Sequence, residues 1–391
     1  MSNSVWTLAA AGDVMVDRED PAGAFDHVRT ILNRADITVA NLEMPLTNEP
    51  VVPRGLPISG LPSVAKCLPD AGFDIMVLAN NHTGNCGPKG IIDTIKSLDD
   101  AGVKSVGAGA NTLEARAPTI LDVNGVKVAF LAFTNLYLPG DIPDKAHPGV
   151  AVLRSHSYYY FSEVWSASGV VIPGADPKVG TVPYPEDVEM LKRCVGDAKK
   201  DADVVIVSFH SGISTKKGYL CDYERIYSKV AVDAGAEMVF AHHHHFLRGV
   251  EYYKGKPILY GLGVLVIDLP KVFANTTEAD LAKLRRSDNA YAMYPRPGYP
   301  LVPPFHEDCR NTVVAILEFK GSNFHRLGLL PCYMDDSGKP VPQRLDSEHA
   351  HACRRYLNEI TEIASLNGRY DENGPEIDGF QTFNVSPAAT V

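Results

Sequence analysis

The sequence predicts an α/β fold with a largely parallel sheet, and three observations lead there. Short, nearly continuous apolar runs recur from Val5 to about Gly263, as in strands buried on both faces. Helical patterns separate these runs, giving repeated βα units. Two turn signals, Asn124-Gly125 and Lys254-Gly255, each sit between apolar stretches and mark hairpins. Parallel units combined with hairpins point to two sheets packed between helices.

The strands expected in order are Val5–Ala11, Ile37–Asn41, Ile75–Leu78, Val204–Phe209 and Met238–Ala241. Helices are expected at about 22–34, 61–71, 88–101, 186–200 and 222–235. The hairpins join Pro118–Val123 to Lys127–Thr134 and Leu247–Tyr253 to Pro257–Gly261. Residues 135–185, rich in Pro, Gly and Tyr, read as a long insertion serving as a lid or an interface. Beyond Asp268 the pattern weakens to a charged helix at about 277–288, the Tyr/Pro-rich stretch Tyr291–Phe305, a strand at 312–319, a helix at 347–365 and a polar tail. The expected organisation is therefore one domain over 1–270 with 271–391 as an extension packed on it.

Composition narrows the function. The chain has 391 residues, 45% of them hydrophobic and 21% charged, which is the profile of a globular protein. The formal charge is −10 and no dense Lys/Arg cluster occurs, which argues against a nucleic-acid partner. No apolar run approaches the roughly 20 residues of a membrane helix, so no membrane partner is expected. The N-terminus lacks a basic n-region and runs from Ala11 into Gly12-Asp13, reading as a strand. Seven scattered cysteines without a C-x-x-C pair give neither a zinc knuckle nor a disulfide framework. A cytoplasmic location is the expectation.

Polar residues fall where the strands end. Asp13, Glu43, Asn80-Asn81-His82, His210 and the run His242–His245 each follow a predicted strand. The carboxyl ends of strands line one crevice in open α/β sheets. Asp, Glu, Asn and His gathered there form an inventory of metal ligands, with N and O donors suited to Zn, Mn, Fe or Ni.

The chain resembles the CapA family of poly-γ-glutamate capsule biosynthesis proteins, which have a calcineurin-like metallophosphoesterase fold. The resemblance rests on Gly12-Asp13-Val14-Met15-Val16-Asp17-Arg18, on Ala35-Asp36-Ile37 with Asn41-Leu42-Glu43-Met44-Pro45-Leu46-Thr47, and on Leu78-Ala79-Asn80-Asn81-His82. It continues through Gly107-Ala108-Gly109, Ala241-His242-His243-His244-His245, Gly249–Ile258 and Tyr260–Gly263, covering roughly residues 5–265.

The resemblance implies a four-layer α/β/β/α sandwich with one or two divalent transition metals (Zn, Mn or Fe) at the strand ends. Asp13, Glu43 and His245 would hold one, and Asn81, His210 and His243 the other. His82 would be a general acid or an oxyanion stabiliser, and Arg18 a clamp for a substrate carboxylate or phosphate. This sequence departs from the pattern at Met15, where a phosphoesterase start would have His, at Asn85 for Asp, at Ser211 for Trp, and at Ala241 and His244 for Gly and Pro. The four-histidine run leaves open whether His243 with His245, or His242 with His244, ligate.

The expected function is a metal-dependent hydrolase that uses a metal-bound hydroxide on an amide or peptide-type bond, γ-glutamyl-like or lactam. The alternatives are a phosphoesterase acting on phosphomonoesters or nucleotides, and a non-catalytic component of poly-γ-glutamate synthesis. The partner expected is a small-molecule or peptide-like substrate, with homo-oligomerisation left open.

Overall fold

Strand Val5–Met15 is the axis around which the rest assembles. Its second half pairs in parallel with Val264–Ile267, and its flank pairs in parallel with Ile37–Leu42, followed outward by Ile75–Val77 and Lys104–Val106. Its first half pairs antiparallel with Asn311–Lys320, then Asn323–Met334, Phe383–Pro387 and Gly368–Asp371. Together with Pro340–Pro342, which pairs with Asn323–Met334, these form one ten-stranded sheet. A second sheet of six strands runs Val250–Tyr253, Lys256–Leu259, Met238–His242, Val204–His210, Val126–Thr134 and Thr119–Val123. These arrangements come from a computed structural model that describes residues 5–52, 56–160, 177–286, 291 and 305–388.

Strand period explains how the sheets stack. Trp6, Leu8 and Ala10 face the same core as Phe130, Ala132, Ile206 and Phe240 of the second sheet. Their neighbours Ala9 and Ala11 face the other way, onto Phe25, Ile31, Leu32, Leu68 and Leu98 of the short N-terminal helices and of helix Gly87–Asp100. Leu131, Phe133, Val205 and Val207 face out from the second sheet onto Leu191 and Val195 of helix Pro185–Asp201 and Tyr227 of helix Asp222–Ala234. Three apolar layers separate four structural ones, so the fold is the expected α/β/β/α sandwich. Central strands covered on both sides need apolar residues at every position, hence the continuous runs.

Two expectations change in detail. The helices expected at 22–34 and 61–71 are each a 3₁₀ turn followed by one short α-turn: Ala22–Phe25 with Arg29–Leu32, and Pro62–Cys67 with Leu68–Ala71. Pro69 accounts for part of this, having no N–H to give to a longer helix. The part after the C-terminal helix is also more than a polar tail, because Gly368–Asp371 and Phe383–Pro387 extend the larger sheet. Helix Glu348–Ile363 carries Ala350, Cys353, Tyr356, Leu357 and Ile360 at three- and four-residue spacing and buries that face between the sheets. Within 135–185, Ser155–Tyr160 pairs antiparallel with Lys178–Pro183, while 161–176 lies outside the described residues. Most of the Tyr291–Phe305 stretch lies outside them as well.

One close approach fixes the strand end that matters most. Asp13 N donates to Gly263 O at 3.0 Å. A Cβ on Gly12 would lie 2.2 Å from the same oxygen, and the obstacle is backbone that cannot rotate away. Gly12→Ala should therefore cost about 1–3 kcal/mol or more, read as a fall in the urea midpoint of metal-free protein. An unchanged midpoint would show that this contact does not constrain the strand.

Candidate metal centre

Five strand ends bring the candidate ligands to one buried point. Asp13 lies near the end of its strand, Glu43 follows Ile37–Leu42, His210 ends Val204–His210, and His243 and His245 follow Met238–His242. Asp13, Glu43 and His210 are completely buried. Ligand atoms of Asp13, Glu43 and His245 lie within 4.8 Å of one another, and so do those of Glu43, His210 and His243. Glu43 thus belongs to both groups, whereas the sequence pattern assigned it to one. Its Oε2 lies 3.8 Å from His245 Nδ1 and its Oε1 3.4 Å from His210 Nε2. Asn81 joins the second group, its Oδ1 2.7 Å from His210 Nε2.

The four-histidine run divides by direction. His242 Nε2 faces Ala11 O at 3.1 Å, and His244 Nε2 faces Glu224 Oε1 at 3.0 Å, both buried away from the cluster. His243 and His245 turn into it with φ of 95° and 60°. A non-glycine residue in that region costs energy, and such strain gathers at functional sites. Gly212 makes room for the outer pair, since a Cβ there would meet His244 Nε2 and Glu224 Oε1 at 2.1 and 2.6 Å.

Electrostatics keep the donors in the form a cation needs. Burial pushes His210 and His243 well below the ordinary imidazole range, so both are neutral at pH 7. Burial alone would raise the Asp13 carboxyl. The hydrogen bond with His245 and the interactions with the imidazoles of His242, His245 and His210 outweigh it and hold Asp13 well below the usual carboxylate range. Burial, with the Asp13 charge beside it, drives Glu43 well above that range. Both Glu43 oxygens are buried without a hydrogen-bond partner. An uncompensated carboxylate in the interior is costly, and a divalent cation held by these N and O donors would satisfy it. The residues present therefore fit a divalent metal.

His82 sits at the edge of the cluster, its Nε2 4.0 Å from Glu43 Oε1. Burial, helped by the charge of His245, pushes it down to about 4. Its Nδ1 meets Asn85 Nδ2 at 3.2 Å, and the same amide nitrogen faces the carbonyls of Leu56 and Ile58. Asn85 is therefore part of the support for His82. Arg18 is not brought to this cluster. Its Nε and Nη2 donate to the two oxygens of Asp268 at 2.8 and 2.7 Å, beside a separate cavity of about 460 Å³.

Several contributors were given no individual role by the sequence reading. Asn41 Nδ2 donates to Asp13 Oδ1 at 2.8 Å, and Asn80 Nδ2 donates to Asn41 Oδ1 at 3.0 Å. Asn80 Oδ1 then accepts from the backbone N–H groups of His82 and Thr83. The signal was available as a polar Asn inside an otherwise apolar buried strand. Phe305 stacks on His245 with ring centroids 4.8 Å apart and planes 14° apart. Arg248, 2% exposed, donates to the carbonyls of Ile213 and Lys216, which bracket Ser214 and Thr215. Those two residues line a cavity of about 230 Å³ together with His82, His245 and Phe305.

Comparison with known proteins decides the family. A profile described as bacterial capsule synthesis protein PGA_cap matches residues 7–269, more than half of the chain. The chain belongs to the PGA_cap family. Members similar to it include the capsule biosynthesis protein CapA of Bacillus anthracis, 29% identical over 304 residues, covering 74% of this chain and 66% of that protein. The PGA biosynthesis protein CapA of Bacillus subtilis (strain 168) is 28% identical over 279 residues, covering 68% of this chain and 64% of its own. The chain thus spans just under two thirds of the length of these relatives. A probable polyglutamine synthesis accessory protein of Mycobacterium tuberculosis is 29% identical over 251 residues, covering 60% of this chain and 56% of that one.

Among solved structures, a phosphatase of Mycoplasma pneumoniae aligns at 11% identity and a TM-score of 0.48, covering 93% of this chain and all of that one. A putative 5'-nucleotidase of Staphylococcus aureus aligns at 10% identity and a TM-score of 0.41, covering 95% of this chain and 62% of that one. Among the described residues of this PGA_cap chain, no helix is long and apolar enough to cross a membrane.

The raised carboxyl of Glu43 gives a test that needs no substrate. A carboxyl whose pKa is higher folded than unfolded costs stability at every pH above its unfolded value, a cost that grows until the folded value is passed. At pH 7, Glu43→Gln should therefore leave the metal-free melting temperature unchanged or higher, while metal affinity falls at least tenfold. Calorimetric melting with and without Zn, plus elemental analysis, reads both arms. A drop in metal-free stability would show that Glu43 is held by something other than a cation.

Proposed function

We propose that this chain is a metal-dependent hydrolase acting on an amide-type bond in a small substrate. The observation that carries the reading is the buried Glu43 carboxylate, without a hydrogen-bond donor and shared between two groups of histidine and carboxylate donors. Asp13, Glu43 and His245 would hold one divalent ion; Glu43, His210, His243 and Asn81 would hold a second. When bound, such an ion supplies Lewis acidity and a nucleophile active at neutral pH.

His82, neutral at pH 7, lines the cavity; with Nδ1 accepting from Asn85 Nδ2, its Nε2, now 3.1 Å from Asn81 Nδ2, would carry the proton and turn it to charge developing on the reacting carbonyl oxygen. A group titrating near 4 holds no transferable imidazolium proton at pH 7, so oxyanion stabilisation fits it better than general acid catalysis. Asn85, Asn80 and Asn41 act as positioning residues. Ser214 and Thr215 offer hydroxyls to orient a substrate, and the apolar remainder of the cavity excludes water.

Charge supports an amide over a phosphoester. Phosphate recognition draws on Arg and Lys, and the described residues lining the cavity include neither. Arg18, the nearest candidate in the sequence motifs, is engaged by Asp268. Relatives named for capsule, PGA and polyglutamine synthesis are linked to amide polymers, in keeping with this bond type.

The test is elemental analysis of the full chain, followed by assays of amides and of p-nitrophenyl phosphate before and after chelation. About one to two metal equivalents, with amide turnover lost on chelation and restored by Zn, Mn or Fe, are expected. His82→Ala should keep its metal and lose about 10²–10³ in kcat, the usual loss for one oxyanion donor. Absence of metal after incubation would leave a non-catalytic role in polymer synthesis. Turnover of the phosphoester alone would replace the amide reading with a phosphoesterase.

A further inference from the structure

The cavity beside the metal cluster has a character of its own. Met15, Leu56, Ile58, Leu269, Val272 and Phe305 form most of its wall. Two of these stand out. Met15, two residues after Asp13, is fully buried and puts an apolar thioether where a phosphoesterase start would have a histidine. Phe305 lies beyond residues 7–269, outside the stretch the family profile matches.

Phe305 is 6% exposed and held firmly. One face covers the imidazole of His245, and Phe246 packs behind it at 6.5 Å between ring centroids. Phe246 is in turn stacked on Tyr291 at 4.6 Å. An aromatic ring fixed on a candidate ligand thus forms part of the cavity wall beside that ligand. The volume is also informative. A cavity of about 150 Å³ lined by apolar side chains accepts benzene. This one, at about 230 Å³, has room for an aryl ring and the carbonyl attached to it.

We propose that this cavity binds the acyl side of an amide whose substituent is an apolar aryl group, and that Phe305 sets this preference. The proposal rests on the amide-hydrolase reading. It sets the substrate of this chain apart from a polyanionic glutamyl chain, whose carboxylates would have to lie against Met15, Leu269 and Val272. Burying one phenyl group against such walls corresponds to about ten- to hundredfold in affinity.

Hydroxamates test this by binding alone, because the hydroxamate end engages a metal while the other end samples the cavity. Zn-loaded full-length chain is titrated calorimetrically with acetohydroxamate, benzohydroxamate and glutamate γ-hydroxamate. Benzohydroxamate should bind at least tenfold more tightly than either of the others. Phe305→Leu and Val272→Ser should each shrink that ratio toward one; the second lies at a partly exposed position and guards against misfolding of the first.

If acetohydroxamate binds and benzohydroxamate binds no more tightly, the apolar preference is overturned while the metal-dependent reading stands. Tighter binding of glutamate γ-hydroxamate overturns it in favour of an acidic acyl group. If none of the three binds the Zn-loaded chain, the metal-dependent reading fails and the preference fails with it.

Discussion

A carboxylate without a donor governs this structure. Glu43 lies where water does not reach and where both oxygens lack a protein hydrogen bond. The residues around it are arranged to receive positive charge from something other than a proton. Asp13 is held ionised with help from His245, two imidazoles are kept neutral by burial, and Asn81 turns its oxygen toward His210. Such an arrangement is costly without a cation, and the fold tolerates it because every candidate ligand sits at or just beyond the end of a strand anchored on both faces. Rigidity of the two sheets is what allows five separate chain segments to keep an unfavourable polar cluster together.

The support around the ligands follows the same logic. Asn80, Asn41 and Asp13 form a chain of hydrogen bonds linking three adjacent strand ends of the larger sheet. His242, His244 and Glu224 occupy the space behind the second sheet's contribution, so that alternate histidines face opposite ways. Buried polar groups satisfied by one another specify a unique geometry. Glu43, with both carboxylate oxygens unpaired, lies outside that network.

Much of this was legible in the sequence, for identifiable reasons. Parallel strands covered on both faces leave continuous apolar runs, and polar residues at their ends are conspicuous by contrast; Asp13, Glu43, His82 and His210 were all found this way. Choosing between the two pairs in His242–His245 depended on backbone dihedrals at His243 and His245, which composition does not reveal. The sharing of Glu43 depended on distances across two sheets. Arg18 looked available because its partner, Asp268, lies 250 positions away. Phe305 had no local signal at all, since a lone aromatic in a Tyr/Pro-rich stretch says nothing about which histidine it covers. The short N-terminal helices were misjudged in form because periodicity does not separate a 3₁₀ turn from a full helix.

The pairing of Val5–Met15 with Asn311–Lys320 has a consequence in time. All six candidate ligands are translated by His245, yet the strand that carries the first of them is flanked on one side by a segment made much later. While the ribosome is still between these points, the axial strand has an open edge and its inward face, with Trp6 and Leu8, lacks the cover of helix Glu348–Ile363. Unpaired edges on nascent sheets invite association with other chains, and non-local pairing of this kind is slow to form. Completion of the centre therefore waits on the end of synthesis rather than on the last ligand. A ribosome that stalls between the two would release a chain holding every donor atom but lacking the scaffold that aims them.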